Sequence, residues 1–230
     1  MLLFSLECSA AAASAAIYRD EKLLGEEFLN VPQTHSVTLL PMAKSLLEHT
    51  GIFPAQIDYY AVSRGPGSFT GLRIGIAAIK GLAFPDDTPC IGVSTPEAIA
   101  YGLLGFEGTV IPMMDARCGQ VYNAIFRSEG GIITRQCADR AVRLEELAQE
   151  LSGMSGRIIL AGDGAELAHK STGEKYELAP YILRYQRGSG VCYAAQGKEL
   201  IDPAALMPSY LRLPQAERER LAREGKPVTE

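Results

Sequence analysis

An apolar stretch that ends in an acid and a turn occurs twice in this chain, and the segment after it repeats as well. Setting Leu6-Glu7-Cys8 over Met114-Asp115-Ala116 places Ala16-Ile17-Tyr18-Arg19 over Ala124-Ile125-Phe126-Arg127 without a gap, and Leu24 over Ile132. Each half continues with a helical pattern, Thr34 to Thr50 and Leu144 to Leu151, and then a further strand, Ile57 to Ser63 and Arg157 to Ala161. The repeat predicts a duplication: two similar α/β lobes with a cleft between them, a common geometry for ligand sites. The expected boundaries are a first lobe over 1–104, a second over 105–214 and a polar tail over 215–230. In that tail Glu217-Arg218-Glu219-Arg220 alternates in sign, as a solvated helix or a frayed end does.

Within the first half, Leu2 to Leu6 reads as a strand covered on both faces, and Ala15 to Arg19 and Leu23 to Val31 as two more strands around the polar tip Asp20-Glu21-Lys22. Thr34 or Ser36 can cap the Thr34 helix and Gly51 can end it, while Pro41 inside it predicts a bend. Ser68 is placed to cap a second helix that Pro85 stops near Phe84. Cys90 to Val93 is the next strand, and Pro96 begins a helix near Glu97 to Leu103.

Composition narrows the class. The 230 residues, 47% apolar and 21% charged, fit one large or two small lobes, and no apolar run approaches the roughly 18 residues of a membrane span. A net charge of −5, from 22 basic and 27 acidic residues, gives no long-range attraction to nucleic acid, so another chain is expected to supply basic surface for any RNA contact. Cys8, Cys90, Cys118, Cys137 and Cys192 contain no C-x-x-C pair and read as buried thiols of a reducing, cytoplasmic compartment. The opening MLLFSLECSAAAASAA lacks a basic start and is interrupted by Glu7, so it reads as a strand and turn rather than a secretion signal.

Local catalytic motifs are sparse. The three histidines, His35, His49 and His169, form no H-x-x-x-H pair for zinc, and no G-x-S-x-G elbow is present. Arg64-Gly-Pro-Gly-Ser-Phe-Thr-Gly71 is a glycine-rich turn entering a helix, but Leu72 and Arg73 stand where a phosphate-binding loop needs lysine, and a tight turn with a Ser68 cap accounts for it. The helix itself is more informative. Gly71, Gly75 and Ala78 make a narrow seam, Gly81 lies beside it, and Leu72, Ile76 and Ile79 occupy another face. Each interior glycine costs about 1 kcal/mol relative to alanine, which close backbone approach can offset. The helix can thus be covered on two sides, one by its own sheet and the other by the Thr34 helix, a second chain or both, and spacing alone leaves internal packing and a subunit interface open.

The stretches SRGPGSFTGLRIGIAAIKGLA (Ser63 to Ala83), THSVTLLP (Thr34 to Pro41), GVSTPEAIA (Gly92 to Ala100), MDAR (Met114 to Arg117) and PSYLR (Pro208 to Arg212) resemble the TsaB family, also called YeaZ, across nearly the whole chain and in the family's order. The resemblance implies a two-lobed actin-like (ASKHA) α/β fold with duplicated ribonuclease-H-like lobes. It implies a noncatalytic subunit that dimerises with TsaD and, with TsaE, supports transfer of threonylcarbamoyl to the tRNA adenosine next to the anticodon (position 37). ATP is then used by TsaE, this chain needs no cofactor or metal, tRNA is met only in the assembled complex, and the chain alone is expected to form a homodimer. The implied partner surface is the two helices, with His35, Ser36, Leu39, Leu40, Ala43, Leu47, Ser68, Gly71, Leu72, Gly75, Ile76, Ala78 and Ile79 as contacts. Glu7-Cys8 replaces the Asp-Thr pair usual in the family. The alternative is an ATP-dependent enzyme or peptidase of the same fold acting through Glu7 and Asp115 in the interlobe cleft; the resemblance also leaves room there for a relic nucleotide site lined by Glu7, Ser9 and Asp115.

Overall fold

The structure, a computed structural model, describes residues 1–213 together with Arg220, Arg223 and Glu224. The expected polar tail over 215–230 therefore lies outside the described residues except at those three positions.

The first half opens with β1 (Leu2–Glu7), β2 (Ala13–Arg19) and β3 (Lys22–Leu29), then α1 (His35–Thr50), β4 (Tyr59–Gly65), α2 (Phe69–Ala83), β5 (Cys90–Ser94) and α3 (Thr95–Tyr101). The second contains β6 (Gly108–Arg117), β7 (Gln120–Asn123), β8 (Phe126–Glu129), β9 (Ile132–Arg135), β10 (Arg140–Arg143), α4 (Leu144–Ser152), β11 (Ile158–Ala161), α5 (Ala165–Ser171), β12 (Glu177–Leu178) and α6 (Tyr181–Arg184), and α7 (Gly188–Ala195) comes next. The first sheet runs β3-β2-β1-β4-β5 and the second β10-β7-β6-β11-β12, so each is an antiparallel meander continued by two parallel strands. That shared order is the duplication expressed as topology. In the first sheet Leu2 lies opposite Arg19 and Glu7 opposite Ser14 along one unbroken partner. In the second the equivalent partner is broken at Ala124-Ile125, so β7 pairs one half of β6 and β8 the other.

The expected lobe boundary at 214 does not hold. After α6 the chain returns to the first sheet, where α7 packs with α3 over the face opposite α1 and α2, its Val191, Cys192, Ala194 and Ala195 joining Leu3, Ala16 and Tyr18 in one apolar cluster. Gly190 permits this, because a Cβ there would stand 2.2 Å from the Ala98 carbonyl oxygen. The second lobe is thus an insertion between α3 and α7. Beyond α7 the chain stays on the first lobe: Cys90 and Ile201 form an isolated bridge, and the Ser209 amide donates to Arg64 O at 2.7 Å.

The α1 helix runs on through Pro41, which lies on its exposed side, and Gly51 ends it with a left-handed φ of 66°. Thr34 stands at the cap position but makes no side-chain capping bond. Ser68 does cap α2, accepting from the Gly71 amide at 3.2 Å, and Ser94 caps α3 by accepting from Glu97. Cys8, Cys90 and Cys192 are buried as expected. Cys118 and Cys137 depart from that expectation: Cys118 is exposed in the β6–β7 turn and Cys137 is half-buried in the β9–β10 connection.

Candidate functional site

The helices α1 and α2 lie side by side on one face of the first sheet. The inner stripe of α1 is Leu39, Met42, Ala43, Leu46 and Leu47, and that of α2 is Leu72, Ile76, Ile79 and Ala83 together with two glycines. A Cβ on Gly71 would stand 2.1 Å from the Cys8 carbonyl oxygen, and one on Gly75 would stand 2.6 Å from Cys8 Sγ. The Cys8 thiol donates to Gly71 O at 3.1 Å, which fixes the close approach. At Gly71 and Gly75 the seam is therefore filled by Cys8, in the turn just after β1, so internal packing covers it there.

This corrects much of the expected contact set. Leu39, Gly71, Leu72, Gly75, Ile76 and Ile79 are buried within this chain, while Ala43 and Leu47, also largely buried, show an edge along an apolar groove beside Leu40. Ser36, Leu40 and Ser68 are exposed, and His35 and Ala78 are half-buried. His35 Nε2 lies 2.6 Å from Ala10 O, tying the start of α1 to the turn after β1.

The outward face consists of residues that the expected set mostly omitted. Val37 and Leu40 on α1 are 63% and 52% exposed, Phe53 just beyond it is 71% exposed, and Phe84 after α2 is 83% exposed. On α2 the outward ridge is Arg73, Ala77 and Gly81, flanked by half-buried Ile74 and Ala78, and Gly81 has open space where a Cβ would be. Beside them Leu40, Pro41, Leu47, Ile52, Phe53 and Leu82 line an apolar groove of about 890 Å³. Val37 was readable as an outward residue from its position three before Leu40. Phe84, at the end of the second helical pattern, continues the ridge three residues after Gly81, whereas Phe53 lies outside both helical patterns.

A second concavity of about 470 Å³ lies between the lobes, lined in part by Ser9, Gly67, Phe69, Asp115, Asp163 and Arg212. Of the three acid and serine positions expected there, Ser9 and Asp115 are present and Glu7 is not. The Glu7 carboxylate is fully buried, accepting from the Ser63 hydroxyl and from the Ser9 amide at 2.6 Å. Burial pushes this carboxyl up from its ordinary value, and the hydrogen bonds from Ser63 and Ser9 only partly oppose that shift. Asp115 instead accepts from the Arg117 amide at 2.7 Å and pairs with the Arg117 guanidinium at 3.2 Å. Asp163 is held up by burial despite a hydrogen bond from Gln186 at 2.9 Å.

Elsewhere, Ser45 stands 3.4 Å from His49 Nδ1, but its hydroxyl donates to Glu27 Oε1 at 2.6 Å, so its proton is directed to the carboxylate and not to the imidazole. Among the described residues no three of His, Cys, Asp and Glu are gathered where they could share a metal ion, and no helix is long and apolar enough to cross a membrane.

Comparison with known proteins agrees with this architecture. Residues 29–218 match the family model described as TsaD: tRNA N6-adenosine threonylcarbamoyltransferase. The tRNA threonylcarbamoyladenosine biosynthesis protein TsaB of Bacillus subtilis (strain 168) is 30% identical, over 94% of this chain and 96% of its own length. The protein of the same description from Escherichia coli (strain K12) is 34% identical over 71% of this chain and 72% of its own. A solved structure from Pseudomonas aeruginosa, described as an uncharacterized protein with similarity to peptidase YEAZ, superposes with a TM-score of 0.80 at 25% identity, covering 92% of this chain and 99% of that one. The fold is the two-lobed actin-like one.

Proposed function

The chain belongs to the TsaB family of tRNA threonylcarbamoyladenosine biosynthesis proteins, and from that membership we propose that it is a noncatalytic subunit that pairs with TsaD through the outer face of α1 and α2. The family's role lies in making threonylcarbamoyladenosine on tRNA. The observation that carries the pairing is the exposed apolar surface at Val37, Leu40 and Phe53 beside the groove reaching Leu82. Large exposed apolar patches mark interaction sites, and burying each such side chain is worth about 2 kcal/mol. The small residues Ala77, Ala78 and Gly81 allow a partner helix to approach the α2 backbone closely.

The contribution to the reaction is conformational: contacts made to one state of TsaD and not to another shift its population toward the productive form. TsaE uses ATP, and tRNA joins the assembled complex. Without TsaD the same surface is covered by a second copy of this chain. A noncatalytic role fits a cleft from which Glu7 is sealed away.

Reconstitution tests the reading. This chain, TsaD, TsaE, ATP, tRNA and threonylcarbamoyl adenylate are combined and each is omitted in turn. Modification is expected to fail without this chain, and the chain alone is expected to turn over neither ATP nor peptide. Turnover by the isolated chain, or full modification without it, would overturn the reading.

A further inference from the structure

We propose that the arginine and aromatic rim of the interlobe cleft is a docking surface for a single-stranded segment of RNA. The proposal rests on the chain's role in tRNA modification and adds a contact made by its own residues.

One side of the rim is built on the first turn of α2. The rings of Phe69 and Tyr210 stack with centroids 4.8 Å apart at 26°. Arg73, one turn further on, places its guanidinium carbon 3.9 Å from the Phe69 centroid and donates from Nε to Tyr210 Oη at 2.9 Å. Tyr210 is nevertheless 39% exposed. Across the cleft the β6–β7 hairpin presents Arg117, whose side chain is 75% exposed, and Arg212 spans the gap by donating to Ala116 O at 3.3 Å. The acids at this place are Asp115, which pairs with Arg117 at 3.2 Å, and Asp163, which accepts from Gln186 at 2.9 Å.

Three guanidinium groups, Arg73, Arg117 and Arg212, stand against two carboxyl groups, Asp115 and Asp163, so the rim carries a net positive charge in a chain of net charge −5. Guanidinium groups bind phosphodiester oxygens in a forked geometry, and a partly exposed tyrosine braced by a second ring offers a stacking surface for a base. Only an unpaired base presents its face in this way, because duplex RNA offers backbone and groove edges instead. Few cations take part, so the contact adds to the binding of an assembled complex and does not supply it alone.

The test is ultraviolet crosslinking of tRNA to the reconstituted complex with mapping of the modified peptide, together with RNA titration of Arg117→Glu/Arg212→Glu and of Tyr210→Ala. Arg117→Glu alone, in an exposed hairpin, serves where the segment around Tyr210 loosens in Tyr210→Ala. Expected are crosslinks at Phe69 or Tyr210 and a loss of RNA affinity on the order of tenfold, with TsaD co-purifying as before. Unchanged affinity in the charge-reversed variants, crosslinks confined to other surfaces of this chain, or shielding of the rim by a protein would overturn the proposal. Failure of the unsubstituted chain to bind TsaD would instead strike the pairing reading, and this one would then be decided by crosslinking the chain alone to saturating single-stranded RNA at low salt, where even a weak contact is populated: crosslinks at the rim support it and crosslinks elsewhere overturn it.

Discussion

Gly75 lies against Cys8: a Cβ at position 75 would meet the Cys8 sulfur at 2.6 Å and Val62 Cγ2 at 3.3 Å. Both neighbours belong to the first lobe's own core, so the tightest point of α2 faces its sheet. Gly75→Leu is therefore expected to destabilise the isolated chain, by about 1–3 kcal/mol or more, as overpacking of a filled core does. Urea unfolding measures this, and an unchanged midpoint would show that the seam has room.

Glu7 predicts a dependence on pH. Its folded carboxyl titrates above the ordinary 4.5 because it is buried. The folded chain therefore keeps a proton that the unfolded chain has already lost. The associated stability is fully present below about 4.5 and is lost as pH rises through the folded value, at up to about 1.4 kcal/mol per pH unit. Glu7→Gln should remove that part of the decline. Unfolding midpoints from about pH 4 to about pH 8 check it, and parallel profiles for the two proteins would contradict it.

The thiols predict a graded reactivity. Cys118 is exposed, Cys137 is half-buried, and Cys8, Cys90 and Cys192 are buried, with burial pushing Cys90 up to about 11 and Cys192 up to about 12. A thiol reagent on the native chain should label one cysteine quickly, and Cys118→Ser should abolish that fast phase. The three buried thiols should react only on unfolding.

Much of the first lobe was legible in the sequence because its signals are local. The apolar run Leu2–Leu6, the Ser68 cap and the glycine at 51 each act within a few residues. α7 was not legible. Its sequence GSGVCYAA has no polar face, because six of its eight residues are buried between the first sheet and α3. The glycine seam was legible as a place of close approach, but its neighbour, Cys8, comes from a turn that pattern cannot place in space. Glu7 was legible as a strand-end acid, yet its inward direction depends on Ser63 from β4. The outward face was half legible, since Leu40 was named and Phe84 closes the second helical pattern, while Phe53 sits in a short connection without a period.

Surface substitutions separate the partner face from the core. Val37→Glu with Leu40→Glu adds charge at exposed positions, so unfolding should shift by no more than about 0.5 kcal/mol. Association with TsaD should weaken by at least about tenfold, as removal of interface anchors does. Light scattering of the mixed proteins reads the second effect and thermal unfolding the first. Retained association would mean that the face is not the interface.

Hydrogen–deuterium exchange of this chain, with and without TsaD, reports which segments become covered on pairing and alters no residue in doing so. New protection is expected along α1, over residues 51–54 beyond it, and along α2 to Phe84. Protection confined to the second lobe or to the interlobe cleft, with these helices exchanging as they do in the free chain, would contradict pairing through α1 and α2.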